Sequence, residues 1–356
     1  KEGGALDREA LKRGTSVYLV DRVIPMLPHR LSNGICSLNA GCDRLALSCL
    51  MDIDENGVIL GHEICETIVC IDRRLTYTHV AKVLEAPEAF ADKEECDMLC
   101  MMGRASKALR GRRMLRGAVD FDFPECKIIL DDKGRPKDIR PYERNAANML
   151  IEDFMLAANE TVAEDYYWQQ VPFLYRTHEK PDEEKIKKFG ILINNFGYSI
   201  HLQNGELHPK EMQKLLQKVA GSPEEAHLSR LALRSMKQAK YTPDCLGHFG
   251  LAASYYTHFT SPIRRYPDLQ IHRIIKENIH GRLDEKRISH YEKILSEVAV
   301  WTSSRERLAE EAERETEKLK KVQYMERHIG EEFDGIISGI NNYGFYVELP
   351  NSVEGM

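Results

Sequence analysis

The sequence predicts an α+β fold, with strands and helices mixed along the chain and no regular alternation between them. Three observations carry this expectation. Residues 1–85 are rich in short β-type runs and loop signals. Residues 88–116 and much of 145–328 place apolar side chains at helical spacing. Residues 328–356 return to a strand pattern with Gly and Asn at the turn. A chain of 356 residues accommodates about two domains.

The elements follow in order. Val17, Tyr18, Leu19 and Val20 form a short β-type run. Residues 44–51 and 58–70 are longer apolar runs, and Asp54-Glu55-Asn56-Gly57 between them reads as a hairpin turn. Residues 24–39 read as a loop, with Pro25, Pro28 and the Asn33-Gly34 pair, yet they hold enough apolar side chains to be packed against something. Helix is expected over 88–116. Strand is expected over 117–130, where Val119, Phe121 and Phe123 alternate with Asp120 and Asp122. Helix returns over 145–165, and several short helices fill 182–247. Another helix should open at Pro267. A last one starts near Asp284 and runs toward His328, with a break at Ser303, because Ser303 and Glu306 fit a capping box.

Composition removes several classes. With 42% hydrophobic and 30% charged residues the chain is ordinary globular material, neither disordered nor collagen-like. No stretch approaches the ~20 apolar residues of a membrane helix, and the opening residues lack the pattern of a secretory signal. The nine cysteines are scattered without a frame and read as free thiols of a reducing, cytoplasmic compartment. Cys96 and Cys100 have no second pair nearby at zinc spacing. A net charge of −6 says little about nucleic acid, so the placement of the basic residues matters more. Arg104, Lys107, Arg110, Arg112, Arg113 and Arg116 fall in one stretch without an acid. They read either as a solvated helix face or as a phosphate-facing surface.

The most informative segment is Thr260-Ser261-Pro262-Ile263-Arg264-Arg265-Tyr266-Pro267-Asp268. It puts Arg264 and Arg265 on the turn before a helix, where the free N–H groups and the positive end of the helix already favour an anion. A phosphodiester fits there. The alternative is that Arg265 pairs with Asp268 and Arg264 with another carboxylate. His248, Tyr255, Tyr256, His258 and Phe259 precede this segment. Aromatics among cations suit a single-stranded nucleic acid groove, although at this density such rings are more often the material of a core.

These segments resemble the ribonuclease II / ribonuclease R exoribonucleases, and most nearly the ribonuclease R branch. The resemblance rests on LDREALKRGTSVYLVDRVIPMLPHRLSNGICSLN (6–39), RLTYTHV (74–80), MLIEDFMLAANETVA (149–163), the long run from Leu233 to Arg273, and EEAERE (310–315), all in family order. It implies an incomplete ribonuclease II-type catalytic domain over 1–327 and, over 328–356, the first strands of an OB-type RNA-binding barrel. It also implies processive 3′→5′ hydrolysis of single-stranded RNA to 5′-mononucleotides, with magnesium held by an acidic cluster upstream of this chain. Met51-Asp52-Ile53-Asp54-Glu55 imitates the spelling of that cluster but falls at the hairpin turn and is rejected. The resemblance gives Arg264 the scissile phosphate, and the anion-site reading of the helix start adds Arg265 as a substrate-binding residue. Tyr18 and Phe121 become the two sides of a base clamp, with Phe123 as an alternative to Phe121. Tyr77 and Glu152 become a ribose-reading pair, and Glu313 a residue near the nucleotide.

Without the resemblance, Tyr77 reads as cross-strand packing, Glu152 as a surface ion pair with Arg144 or Lys180, and Glu313 as one more helix charge. The chain alone is expected to be nearly or wholly inactive. A non-catalytic RNA-binding module of the same family is the alternative. A coiled-coil scaffold over 285–328 fails, because Ile288, Tyr291, Ile294, Leu295, Val298 and Trp301 keep no strict heptad.

Overall fold

A computed structural model describes residues 1–119, 125–142, 144–203 and 205–355. It opens with helix α1 (Ala5–Arg13), the short antiparallel pair β1 (Val17–Tyr18) and β2 (Val23–Ile24), and the long hairpin β3 (Asp43–Ile53) and β4 (Ile59–Cys70). Helices α2 (Tyr77–Glu85) and α3 (Lys93–Arg116) follow, then the hairpin β5 (Glu125–Leu130) and β6 (Pro136–Tyr142), and helix α4 (Ala146–Trp168). The next stretch holds β7 (Tyr175–Thr177), α5 (Glu183–Asn194), β8 (Leu202–Gln203), β9 (Glu206–Leu207), α6 (Pro209–Val219), α7 (Glu225–Ser235) and β10 (Lys240–Thr242), with β10 pairing back on β7. Helices α8 (Tyr266–Ile279) and α9 (Glu285–Met325) come next. The chain ends in an antiparallel sheet of β11 (Ile336–Asn341), β12 (Gly344–Glu348) and β13 (Glu354–Gly355). The mixture is that of the expected α+β class.

The largest core joins α1, α4, α8 and α9, with Tyr166, Ile271, Ile274, Tyr291 and Leu295 almost fully buried in it. Met26 and Leu27 of the 24–39 loop enter the same core, so the apolar first half of that loop is packed as expected. Its second half is not, since Ile35 and Leu38 are exposed. A second core holds α5, α6 and α7 together, and a third joins α2, α3 and the start of α4 through Val83, Leu99 and Ala147.

The turn between β3 and β4 follows the sequence closely. The Asp54 carboxylate accepts the N–H groups of Asn56 at 2.9 Å and Val58 at 2.7 Å. Gly57 has φ +75°, and a Cβ there would lie 2.7 Å from the Ala108 carbonyl carbon, so the turn presses directly on the backbone of α3.

Four expectations are corrected. The first 85 residues hold two helices that read as strand or loop, α1 and α2. In α2 the β-branched and aromatic start conceals a helix capped by Thr76, whose hydroxyl accepts the His79 N–H at 3.2 Å. Tyr77 therefore sits in a helical first turn, not on a strand. The segment after α3 does not begin as strand. Gly117 ends α3 in the left-handed region at φ +105°, and the described strand starts at Glu125. Finally, α9 runs unbroken for 41 residues. Ser303 is not a cap, because its hydroxyl donates to the Ala299 carbonyl at 2.7 Å and accepts the Tyr241 N–H at 2.9 Å.

The basic stretch of α3 divides: Arg104, Lys107 and Arg112 are exposed, as a solvated face requires, while the other three are not. Arg110 and Arg113 turn inward to the buried Asp153, which also accepts the Ser106 hydroxyl at 2.7 Å. Arg116 grips both oxygens of Glu160 at 2.7 and 2.8 Å. These arginines tie α3 to α4.

Candidate nucleic-acid interface

The site is built where α8 begins. The helix starts at Tyr266 with Pro267 in its first turn, one residue from the expected start. Arg265 caps it in an extended conformation. The two arginines then separate. The Arg265 guanidinium donates to Asp268 twice, at 2.9 and 2.8 Å, and Asp268 also accepts the Ser261 N–H at 2.7 Å. Burial pushes the Asp268 carboxyl up, while the positive Arg265 pulls against it. The anion expected at this helix start is therefore supplied first by the protein itself. Arg265 is paired with Asp268, as in the alternative sequence reading. Arg264 is half-buried, and its side chain has no carboxylate partner among the described residues.

The main chain of Arg264 is fixed from the other side. Its carbonyl accepts the Ser16 N–H at 2.9 Å and the Thr15 hydroxyl at 3.1 Å. The Tyr266 N–H donates to the Gly14 carbonyl at 2.9 Å. Gly14 has φ +72°, and a Cβ there would lie 2.7 Å from the Arg305 Cβ, so α1, α9 and the arginine turn meet with no room for a side chain. Tyr18 follows Ser16 by two residues, an extended span of roughly 7 Å. Tyr18 is 48% exposed, and its N–H donates to the Glu313 carboxylate at 2.6 Å. Arg264, Tyr18 and Glu313, which lie far apart in sequence, are thus brought into one neighbourhood by backbone hydrogen bonds.

Tyr77 and Glu152 stand on helices that share the third core. Tyr77 is half-exposed in the first turn of α2, and Glu152 on α4 holds Arg144 at 2.5 Å through one oxygen. Lys180, the other partner considered, pairs with Glu206 instead. Phe121 and Phe123 lie outside the described residues.

The rings before the arginine turn form its support. His258 Nδ1 and the Tyr241 hydroxyl are 2.7 Å apart, and Arg176 lies 4.7 Å over the Tyr241 ring. His272 Nε2 reaches the Phe259 carbonyl at 2.8 Å, while Asn159 accepts the Phe259 N–H at 2.9 Å. Burial pushes His248 down to about 3 and His272 down to about 4, and drives His258 well below the usual imidazole range. Neutral buried imidazoles of this kind are scaffold. Sequence reasoning missed Asn159, Ser303 and His272 as anchors, since nothing local marks a polar side chain whose partner lies 13, 62 or 100 residues away. Asp268 was more legible, because an acid three residues after an arginine at a helix start is a natural partner.

A model of the RNB domain matches residues 1–281. The chain belongs to the RNB-domain family. This RNB-domain chain is 44% identical over 357 residues to ribonuclease R 1 of Lactococcus lactis, covering all of itself and 44% of that protein. It is likewise 44% identical over 361 residues to ribonuclease R of Thermotoga maritima, covering 51% of it. The chain thus spans about half the length of the curated relatives it matches. Among solved structures, Mycoplasma genitalium RNase R in complex with ribose-methylated single-stranded RNA superposes with a TM-score of 0.95 at 26% identity, covering all of this RNB-domain chain and 56% of the other.

Proposed function

We propose that this chain forms part of a 3′→5′ exoribonuclease that hydrolyses single-stranded RNA processively to 5′-mononucleotides. The observation that carries the reading is the Arg264 side chain. Among the described residues it has no carboxylate partner at a helix start, while its carbonyl is tied to the strand that leads to the exposed Tyr18. The ribonuclease R relatives and the RNA-bound structural neighbour support it.

In the reaction, a water oxygen attacks the phosphorus of the last phosphodiester and the bond to the 3′ oxygen breaks. The released nucleotide keeps the phosphate on its 5′ oxygen, and the shortened strand takes a proton on its new 3′ hydroxyl. Arg264 holds the non-bridging oxygens and stabilises the negative charge that grows on them. Tyr18 stacks on the terminal base, with Phe121 proposed as the opposite face of the clamp. Stacking tolerates any base, as a nuclease that reads no sequence requires. Arg144 engages one oxygen of Glu152, which leaves the other to accept a ribose 2′-hydroxyl beside Tyr77. Glu313 acts near the nucleotide by holding the Tyr18 main chain.

Magnesium would activate the water and neutralise the leaving oxygen. The described residues contain no group of three or more His, Cys, Asp or Glu able to hold a metal, so they do not fit that role. Its ligands are proposed to lie in carboxylates outside this chain. The terminal β11–β13 sheet is proposed as the opening of an OB-type RNA-binding barrel, and the cytoplasm as the compartment, on the reading of the free thiols. No helix among the described residues is long and apolar enough to cross a membrane.

The test is release of mononucleotides from a 5′-labelled oligo-adenylate by the intact protein, with magnesium and with chelator. Conversion of the full-length strand to a short 5′-labelled end product with few intermediates, abolished by chelator, supports the reading. Binding without any shortening replaces it with a non-catalytic RNA-binding module. The isolated 356-residue chain is expected to be nearly inactive in the same assay.

A further inference from the structure

We propose that Arg265 is a positioning residue that occupies Asp268 so that Arg264 stays free for the phosphate. The proposal rests on the nuclease reading of Arg264 but concerns a competition within the fold. Asp268 is fully buried, and a buried carboxylate must be paired. Two guanidinium groups are available to it. Arg265 donates to both of its oxygens and is largely buried with it. Arg264 is one residue away, and its charge also acts on the Asp268 carboxyl. The Ser261 N–H fixes the carboxylate on the inner side of the turn. The Ser261 carbonyl accepts the N–H groups of Arg264 and Arg265 at 3.2 and 3.0 Å, which closes the turn. With Arg265 in place, Asp268 has no need of a second cation. With Arg265 neutralised, Arg264, the adjacent residue whose charge already acts on Asp268, would be drawn to it and withdrawn from substrate.

This predicts an unusual order among variants. Arg265→Met should lower kcat more than tenfold while KM changes less than about twofold, because base stacking and ribose contacts are untouched. Adding Asp268→Asn removes the demand for a cation, keeps an acceptor for the Ser261 N–H, and should return kcat to within about threefold of wild type. The same variants of the intact protein are treated with phenylglyoxal and the labelled peptides read by mass spectrometry. Arg264 should label in the wild type, be protected in Arg265→Met, and label again in the double variant.

A loss of stability common to both variants cannot produce that reversal, since the double variant carries the extra substitution. The proposal is overturned if Arg264 labels equally in all three proteins, or if the double variant is as slow as the single. If labelling follows the predicted order while no protein, wild type included, degrades RNA, the pairing competition stands and the nuclease reading falls.

Discussion

The Tyr18 N–H donates to the Glu313 carboxylate at 2.6 Å across 295 residues of sequence. The bond ties β1 to the middle of α9 through the tyrosine's backbone, and the residue is 48% exposed. A ring held so firmly at its root and so open at its tip is suited to stacking. Tyr18→Ala should weaken binding of single-stranded oligo-adenylate by about 1–3 kcal/mol. Stability should move by only about 0.5 kcal/mol, because little of the ring is packed. Fluorescence anisotropy and a urea melt measure the two effects. Equal binding by the variant would remove Tyr18 from the interface.

Arg264 contributes to the fold through its carbonyl and to chemistry through its guanidinium. Arg264→Ala keeps the hydrogen bonds from Ser16 and Thr15. Mononucleotide release by the intact protein should therefore fall on the order of 10²–10³-fold while the thermal midpoint barely changes. A variant that loses its fold along with its activity would show that the side chain is structural.

Asp153 should behave in the opposite way. It has essentially no exposed surface and is held by Arg110, Arg113 and Ser106. Asp153→Ala strands two guanidinium groups between α3 and α4, and should cost about 3–5 kcal/mol in chemical denaturation. A loss below about 1 kcal/mol would mean that water or another acid takes over the arginines.

Acid should destabilise the protein before its carboxylates titrate. Burial pushes His248, His272, His258 and His178 down, helped at His248, His258 and His178 by the charge of Arg176. In the unfolded chain these imidazoles take up protons near 6.5, the ordinary value. The unfolded state thus binds more protons throughout the interval below that pH, and stability rises with pH there. It is lost as pH falls from about 6.5 toward 5, where carboxylates are still ionised, at up to ~1.4 kcal/mol per pH unit for each histidine. Urea midpoints at pH 7 and pH 5.5 measure it, and equal midpoints would contradict it.

Where local chemistry dictated structure, the sequence was readable. The Asp54–Gly57 turn follows from an Asx residue and a glycine at positive φ, and the start of α8 follows from Pro267. Local signals misled wherever long-range packing decided the outcome. Helix α2 carries strand-like residues but is held by α3 and α4. Ser303 looked like a cap and is instead a bridge between α9 and β10. At the site, motif residues were found by resemblance and the Arg265–Asp268 pair was one of two local readings, but that Asp268 is fully buried and bonded twice by Arg265 is seen only in three dimensions.

The most direct measurement is a structure of the intact protein with a short single-stranded oligo-adenylate bound. The terminal base should stack on the Tyr18 ring, with the last phosphodiester against the Arg264 guanidinium and Arg265 still on Asp268. An oligonucleotide bound elsewhere, or one whose phosphate is held by Arg265 while Arg264 turns inward to Asp268, would contradict it.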